Sequence, residues 1–486
     1  MHSIKQKTIS GLTWSFIENF VKQAVQFIIG IILARLLAPN EFGIIGMLSI
    51  FIGISQTFIE SGFSNALIRK KDCSETDYST VFFYNFSVAV ILYLLLVLFS
   101  GPISNFYKQP ILKSMIKVLG LVLLISSVTI IQGVILTKQI NFKLQAKISL
   151  FSTATSGIIA IVMAYKGYGV WSLVVRSVSS YFFSSLLLWI FNKWRPVLIF
   201  SRKSFRELFG FGNKLLLSSL LETIYQNIYY LIIGKFFSAK ELGYYTRANM
   251  FKDMPSRNIT NVISRVTYPV LSALQDDNTA LKAGYRRLIR SVMLITFILM
   301  IGMAAIAEPM IITLIGKKWE QSVVYLQMLC FAGMLYPLHA LNLNMLNVQG
   351  RSDLFLKLEI IKKTIAIPVI IIGILWGIKA MIGGMIVLSF VAYYINSYWS
   401  GRLIDYSMKE QIIDIMPSFL IAMVMGIIIY LTGFILKISY LPKLIILVLV
   451  GSSLVILFCE TIKFEDYIYL KDVVKTKIVN YINAKK

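Results

Sequence analysis

One ten-residue segment occurs twice in this chain, each time at the joint between two long apolar stretches. Ala34–Gly43 (ARLLAPNEFG) returns about 200 residues later as Gly234–Gly243 (GKFFSAKELG). Glu41 and Gly43 have identical counterparts in Glu241 and Gly243, and Arg35 has a basic one in Lys235. At the same offset Gln26 matches Gln226 and Ser64 matches Ser264. At an offset near 210, Lys147 matches Lys357 and Gly167 matches Gly377. Two similar helical halves in one orientation are the layout of transporters, which open a central site to either side of a bilayer in turn.

The residues around the repeat leave little room for a soluble fold. Hydrophobic residues make up 57% of the chain and charged ones 15%, against about 45–50% and 25% in ordinary globular domains. Mean hydropathy is +0.74. Val81–Phe99, Leu119–Leu136, Ile148–Tyr165, Ser291–Ala307, Met381–Gly401, Met416–Leu436 and Leu444–Cys459 contain no Asp, Glu, Lys or Arg. A spanning helix needs about 20 mostly apolar residues. The pattern predicts an all-α integral membrane protein of about 14 spans, as two pseudo-symmetric six-helix lobes and two C-terminal helices. The expected boundaries are an N-terminal lobe over 1–191, a cytoplasmic linker over 192–205, a C-terminal lobe over 206–402, helices 13 and 14 over 403–460, and a basic cytoplasmic tail over 461–486.

The formal charge of +25 does not point to nucleic acid. With the N-terminus inside and the spans alternating, roughly 29 of the 48 Lys/Arg fall on the cytoplasmic side, among them the cluster of Arg351, Lys357, Lys362 and Lys363. The basic excess then marks topology, with both termini cytoplasmic, and favours contact with anionic lipid headgroups. The first apolar stretch is too long for a cleavable signal peptide. Cys73, Cys330 and Cys459, with His2 and His339, give no disulfide framework and no metal-ligand spacing.

Ionisable groups inside spans cost about 2.5–3.5 kcal/mol each on insertion scales, so they normally face a cavity or a partner. Span 1 carries Glu18 and Lys22, four residues apart and able to pair. Span 2 carries Glu60, span 6 Arg176, and span 7 Lys214 and Glu222. In span 8, Arg247, Asn258, Asn261 and Arg265 follow at steps of 11, 3 and 4, on one helix face. This reads as a polar, positively charged stripe lining a water-filled interior, with Pro255 able to kink or break it. Arg265 is alternatively a snorkelling residue at a cytoplasmic helix end. Glu222 stands at the repeat position of Lys22 with the opposite sign, which suggests a gating pair. Glu18, Glu222 and Glu60 are candidates for gating or for a coupling ion. Tyr225, Tyr229, Tyr230, Tyr244 and Tyr245 read as interfacial belt residues or as platforms for sugar rings.

From Gly243 the sequence runs GYYTRA to Ala248, then Pro255, then YPVLS over Tyr268–Ser272, then Asp276, Asp277 and Tyr285–Arg287. Together with the opening motif to Gly43, this resembles polysaccharide transporters. These are the lipid-linked oligosaccharide flippases, of O-antigen and colanic-acid type, in the multidrug/oligosaccharidyl-lipid/polysaccharide exporter superfamily. The resemblance covers nearly the whole chain. It implies 14 helices in V-shaped lobes around a central cavity. It implies alternating access in a bacterial cytoplasmic membrane, with undecaprenyl-diphosphate-linked oligosaccharide as substrate. It passes anion binding to Lys22 and Arg247, with Lys214 and Arg176 as further candidates. It implies no bound cofactor, leaves H+ or Na+ open as coupling ion, and suggests a polysaccharide polymerase and a chain-length regulator as partners.

A multidrug exporter of the same superfamily would present acidic residues to its cationic substrates, whereas the charges within these spans lean basic. A lipid II flippase shares the fold and the anionic lipid substrate. An integral-membrane enzyme is excluded by the lack of any loop or domain large enough for a metal-binding carboxylate site.

Overall fold

The structure, a computed structural model, describes residues 21–60 and 62–483, without the side chains at 214, 257, 261–266, 268–270, 352, 473–474 and 477–483. Glu18 therefore lies outside the described residues. So do the side chains of Lys214, Asn261 and Arg265, whose backbones are helical. The described residues form helices and short connections, with no strand among them. In chain order the long helices are α1 (21–36), α2 (Pro39–Arg69), α3 (Glu75–Leu98), α4 (Leu112–Lys138), α5 (Phe142–Tyr165), α6 (Trp171–Phe191) and α7 (Arg202–Phe236). They continue as α8 (Ala239–Ser272), α9 (Asn278–Ala305), α10 (Gln321–Val348), α11 (Ser352–Trp376), α12 (Ile378–Leu403), α13 (Met408–Ile435) and α14 (Tyr440–Thr461). A tail helix, α15 (Glu465–Asn483), follows. Among the described residues, ten of these helices are long and apolar enough to cross a membrane: α2 to α6, α9, α10 and α12 to α14.

The chain forms two compact units, one ending at Gly243 and the other starting at Tyr244. In the first unit α7 packs along α2. Thr57 and Thr223 share a hydrogen bond of 3.0 Å. A Cβ on Gly62 would lie 2.5 Å from the Gly212 carbonyl oxygen, and Gly62 itself has a φ of 70°, which breaks α2 between Glu60 and Phe63.

The sequence repeat has a structural meaning in this unit. Residues 31–40 and 231–240 adopt the same helix, two-residue turn and helix. Glu41 stands at the third position of its helix and its Oε2 accepts from the Ala38 amide at 2.6 Å. In the second copy the Ser238 hydroxyl accepts from the Glu241 amide at 3.1 Å. Each copy thus makes one half of a capping box, which satisfies amides that a helix start leaves open. The glycines do something else. A Cβ on Gly43 would fall 1.6 Å from the Ala239 carbonyl oxygen, and one on Gly243 would fall 1.9 Å from the Pro39 carbonyl oxygen. Pro39 and Ala239 are themselves repeat partners, so the contact is reciprocal. The two helix starts cross at a distance only glycine permits.

The opposite end of the first unit is tied by charge. The Lys138 ammonium donates to the carbonyls of Leu67 at 3.2 Å and Lys70 at 2.6 Å, capping the end of α2. The Lys70 side chain meets Asp77 and Glu207, each at 3.1 Å. Burial works against its charge, but the two carboxylates outweigh burial and its pKa is raised. The irregular segment 192–201 lies on the start of α3: the Ser79 hydroxyl accepts from the Val197 amide and the Thr80 hydroxyl from the Ser201 amide, both at 3.0 Å.

In the second unit α9 and α13 are close neighbours. Phe297 meets Phe419 edge-on at 5.3 Å, and a Cβ on Gly426 would lie 2.5 Å from the Ile301 side chain. The start of α9 presents three cations at helical spacing, each to a different acid. Lys282 meets Glu410 at 3.2 Å. Arg286 grips Asp414 through two bonds of 2.6 Å. Arg290 holds Glu465 and Asp466, which fixes α15 against the bundle. Asp414 is buried and also accepts from the Tyr406 hydroxyl at 2.6 Å.

Gly43→Val should lower stability by more than the about 1–3 kcal/mol typical of overpacking, because the opposing atom is backbone. Gly101→Ala, which meets nothing within 4 Å, should stay within about 0.5 kcal/mol of wild type. Thermal unfolding of the purified protein in detergent reads both.

Candidate functional site

In the first unit the polar side chains of α2, α6 and α7 form the candidate path. Gln56 on α2 donates to the Tyr181 hydroxyl on α6 at 2.9 Å, and the Glu60 carboxylate lies close enough to Tyr181 to act on it electrostatically. On α7, Gln226 donates to Glu222 at 2.7 Å, and Asn227 donates to the Thr223 carbonyl at 2.9 Å. Lys22 is half-buried on α1, about 21 Å from the end of that helix by its rise of 1.5 Å per residue.

Arg176 is the distinctive member. It lies on α6 five residues after Trp171, about 7 Å along the axis, and is half-buried. Among the described residues its guanidinium has no ion pair and no hydrogen bond. A cation held within a spanning helix at a cost of about 2.5–3.5 kcal/mol without a carboxylate beside it is a ready partner for an anionic ligand.

In the second unit α8 carries Arg247 and Asn258, the two members of the expected stripe whose side chains are described. It runs unbroken through Pro255, so that proline frees the Phe251 carbonyl without ending the helix. Arg247 Nη1 lies 3.1 Å from the Met250 sulfur one turn on. Lys252 pairs with Asp253 at 2.6 Å, and Asn249 donates to the same carboxylate at 3.1 Å. Asn258 is half-buried, between Ser256 and Thr260, which are buried. Tyr229, Tyr244 and Tyr245 do not form an interfacial belt: each is buried. Tyr244 meets Trp319 edge-on at 6.2 Å, and its carbonyl accepts from Ser322 at 3.0 Å. The structure thus brings Glu60, Arg176 and Glu222 into one unit with Lys22, and places Arg247 and Asn258 in the other.

A second polar cluster of this unit was not anticipated. Glu359 on α11 accepts from Lys362 at 2.5 Å and lies 3.8 Å from Lys363, and all three side chains are at most 22% exposed. His339 on α10 reaches Ser389 on α12 at 3.2 Å beside them. Lys362 and Lys363 read in the sequence as part of a cytoplasmic cluster with Arg351 and Lys357. They lie ten and eleven residues into α11, about 15 Å from its start. The signal was available, because an acid sits three and four residues before the two lysines in an otherwise apolar run.

A model for polysaccharide biosynthesis proteins matches residues 32–324, more than half of the chain. The chain belongs to that family. Over 438 residues it is 26% identical to the teichuronic acid biosynthesis protein TuaB of Bacillus subtilis (strain 168), covering 88% of this chain and 89% of that one. It is 23% identical over 340 residues to the succinoglycan biosynthesis transport protein ExoT of Rhizobium meliloti (strain 1021), covering 69% and 68%. Its fold is that of the solved lipid II flippase MurJ in an inward closed conformation, with a TM-score of 0.74, 16% identity, and 93% and 99% of the two chains covered. This polysaccharide biosynthesis protein is thus a multi-pass membrane protein of the MurJ fold.

Glu359→Gln should destabilise the protein by about 1–3 kcal/mol, between the surface and buried limits for a lost ion-pair partner. Adding Lys362→Gln should recover more than half of that loss. Unfolding of the single and double variants in detergent measures the coupling.

Proposed function

We propose that this protein is a flippase that carries an undecaprenyl-diphosphate-linked oligosaccharide across the bacterial cytoplasmic membrane by alternating access, for assembly of a surface polysaccharide. The observation that carries the reading is the half-buried Arg176 guanidinium, without a partner among the described residues, on a spanning helix of a polysaccharide biosynthesis protein. A diphosphate is the ligand such a group fits, since arginine offers several donors in a plane. The reading takes the chain to cross 14 times, with α1, α7, α8 and α11 as the four polar spans and both termini cytoplasmic. Lys22 and Arg247 are further contacts for the anionic headgroup, and Asn258 is a donor or acceptor for sugar hydroxyls. Lys214, Asn261 and Arg265 are candidates for the same path. The lipid tail stays in the bilayer while the head crosses inside protein. No step of bond making is involved, so the protein is a transporter rather than an enzyme.

The energy for directed movement is proposed to come from H+ or Na+. Glu60 and Glu222 are carboxylates within spans that could take it, with Glu18 as a third candidate. A polymerase and a chain-length regulator would act on the delivered unit. The multidrug reading is disfavoured by the Arg176 guanidinium, which repels cationic substrates.

Conditional depletion in the native host tests the proposal. Surface polymer should be lost, and lipid-linked oligosaccharide should accumulate on the cytoplasmic leaflet, where its glycan identifies the substrate. Unchanged polymer and intermediates, with redundancy excluded, would reject it. In a complemented strain Arg176→Ala and Arg247→Ala should each lower polymer output at least about tenfold at matched membrane levels, the worth of one charge-assisted contact.

A further inference from the structure

A cavity of about 390 Å³ opens in the second unit between the end of α12 and the turn into α13. Its lining includes Tyr394, Ser397, Tyr398, Arg402, Asp405 and Ser407. Tyr394, Tyr398 and Arg402 follow at steps of four, so they share one face of α12. The two rings are stacked, with centroids 6.4 Å apart and planes 29° apart. The Arg402 guanidinium lies over the Tyr398 ring at 4.2 Å. Tyr394 is 56% and Tyr398 39% exposed. In a membrane chain these rings stand where a helix leaves the hydrocarbon, the depth that tyrosine prefers.

The charges of the cleft are arranged for a ligand. Stacking on Tyr398 holds the guanidinium by its face and leaves its N–H edges free to donate. Among the described residues Arg402 has no carboxylate partner and no hydrogen bond. Asp405 lines the same cleft without an ion pair through its carboxylate, while its backbone carbonyl accepts from Lys282. The neighbouring Lys282 and Glu410 neutralise one another. The cleft therefore offers one cation for a phosphate and, beside it, an acceptor for hydroxyl groups. Its volume is in the range of small-ligand sites, about 300–1,000 Å³.

We propose that this cleft binds an anionic phospholipid of the cytoplasmic leaflet through its headgroup, with a phosphate on Arg402 and headgroup hydroxyls on Asp405. Phosphatidylglycerol has that chemistry. The acyl chains run along Tyr394 and the apolar face of α12 into the bilayer. This is a site for a resident lipid, apart from the path proposed for transport. It takes from that proposal only the orientation that puts this end of α12 on the cytoplasmic side.

The test is lipid binding to the purified, delipidated full chain, read by native mass spectrometry and by thermal stabilisation, so that it does not depend on transport. Phosphatidylglycerol should bind about tenfold more tightly than diacylglycerol, which has the acyl chains but no phosphate, the worth of one charge-assisted contact. Arg402→Gln should remove that preference while its lipid-free unfolding temperature stays near wild type, since the guanidinium makes no hydrogen bond. Tyr398→Leu, which removes the ring under the guanidinium, is a second variant that should also weaken the preference. Equal binding of phosphatidylglycerol and diacylglycerol would overturn the proposal. So would an undiminished preference in Arg402→Gln, or binding confined to a prenyl diphosphate.

Discussion

Two carbonyl oxygens, those of Pro39 and Ala239, mark a crossing of backbone on backbone in the first unit. Each faces a glycine of the other repeat copy, at a distance no side chain would allow. A helix start normally keeps its neighbours at the width of a side chain. Here Gly43 and Gly243 remove that width, and the two capped turns cross backbone to backbone. The glutamates and the glycines of the repeat therefore answer to separate demands. Glu41 closes open amides by its side chain, and the glycines let the starts meet. Helix α8 leaves this crossing at Tyr244 and enters the second unit, where it carries the polar stripe.

The second organising constraint is the cost of charge in a low dielectric. At the basic ends of the helices the chain meets it with partners. Lys138 caps carbonyls, Lys70 shares two acids, and Arg286 takes Asp414 in a two-pronged grip. Along the helices the solutions differ. Glu359 lies between two lysines of its own helix, and Arg176 has no acid beside it among the described residues. That contrast makes Arg176 the exception to a rule of pairing.

Much of this was legible in the sequence because the signals are local. Apolar runs without charge mark α3, α5 and α12 to α14, and the repeat marks equivalent turns. Glu60, Arg176 and Glu222 were legible as costly residues inside spans. The Gln56–Tyr181 contact near Glu60 was not, because those two residues are 125 apart in the chain. The packing of α7 along α2 was likewise not legible, since an apolar helix face does not name its partner. The pairing within α11 was not read either: Arg351, Lys357, Lys362 and Lys363 look like one cluster in the chain, but the helix spreads them over about 18 Å of its length. Pro255 does not break its helix: it removes one hydrogen bond, and the surrounding helix persists.

Translocation itself is the most direct measure of the central claim. The purified protein would be placed in vesicles carrying an undecaprenyl-diphosphate oligosaccharide from its own host, with a membrane-impermeant glycosidase added outside. The account predicts that nearly all of the glycan becomes accessible within minutes, against about half in protein-free vesicles, and that Arg176→Ala restores the protected half. A protected half that persists with the folded wild type would contradict it.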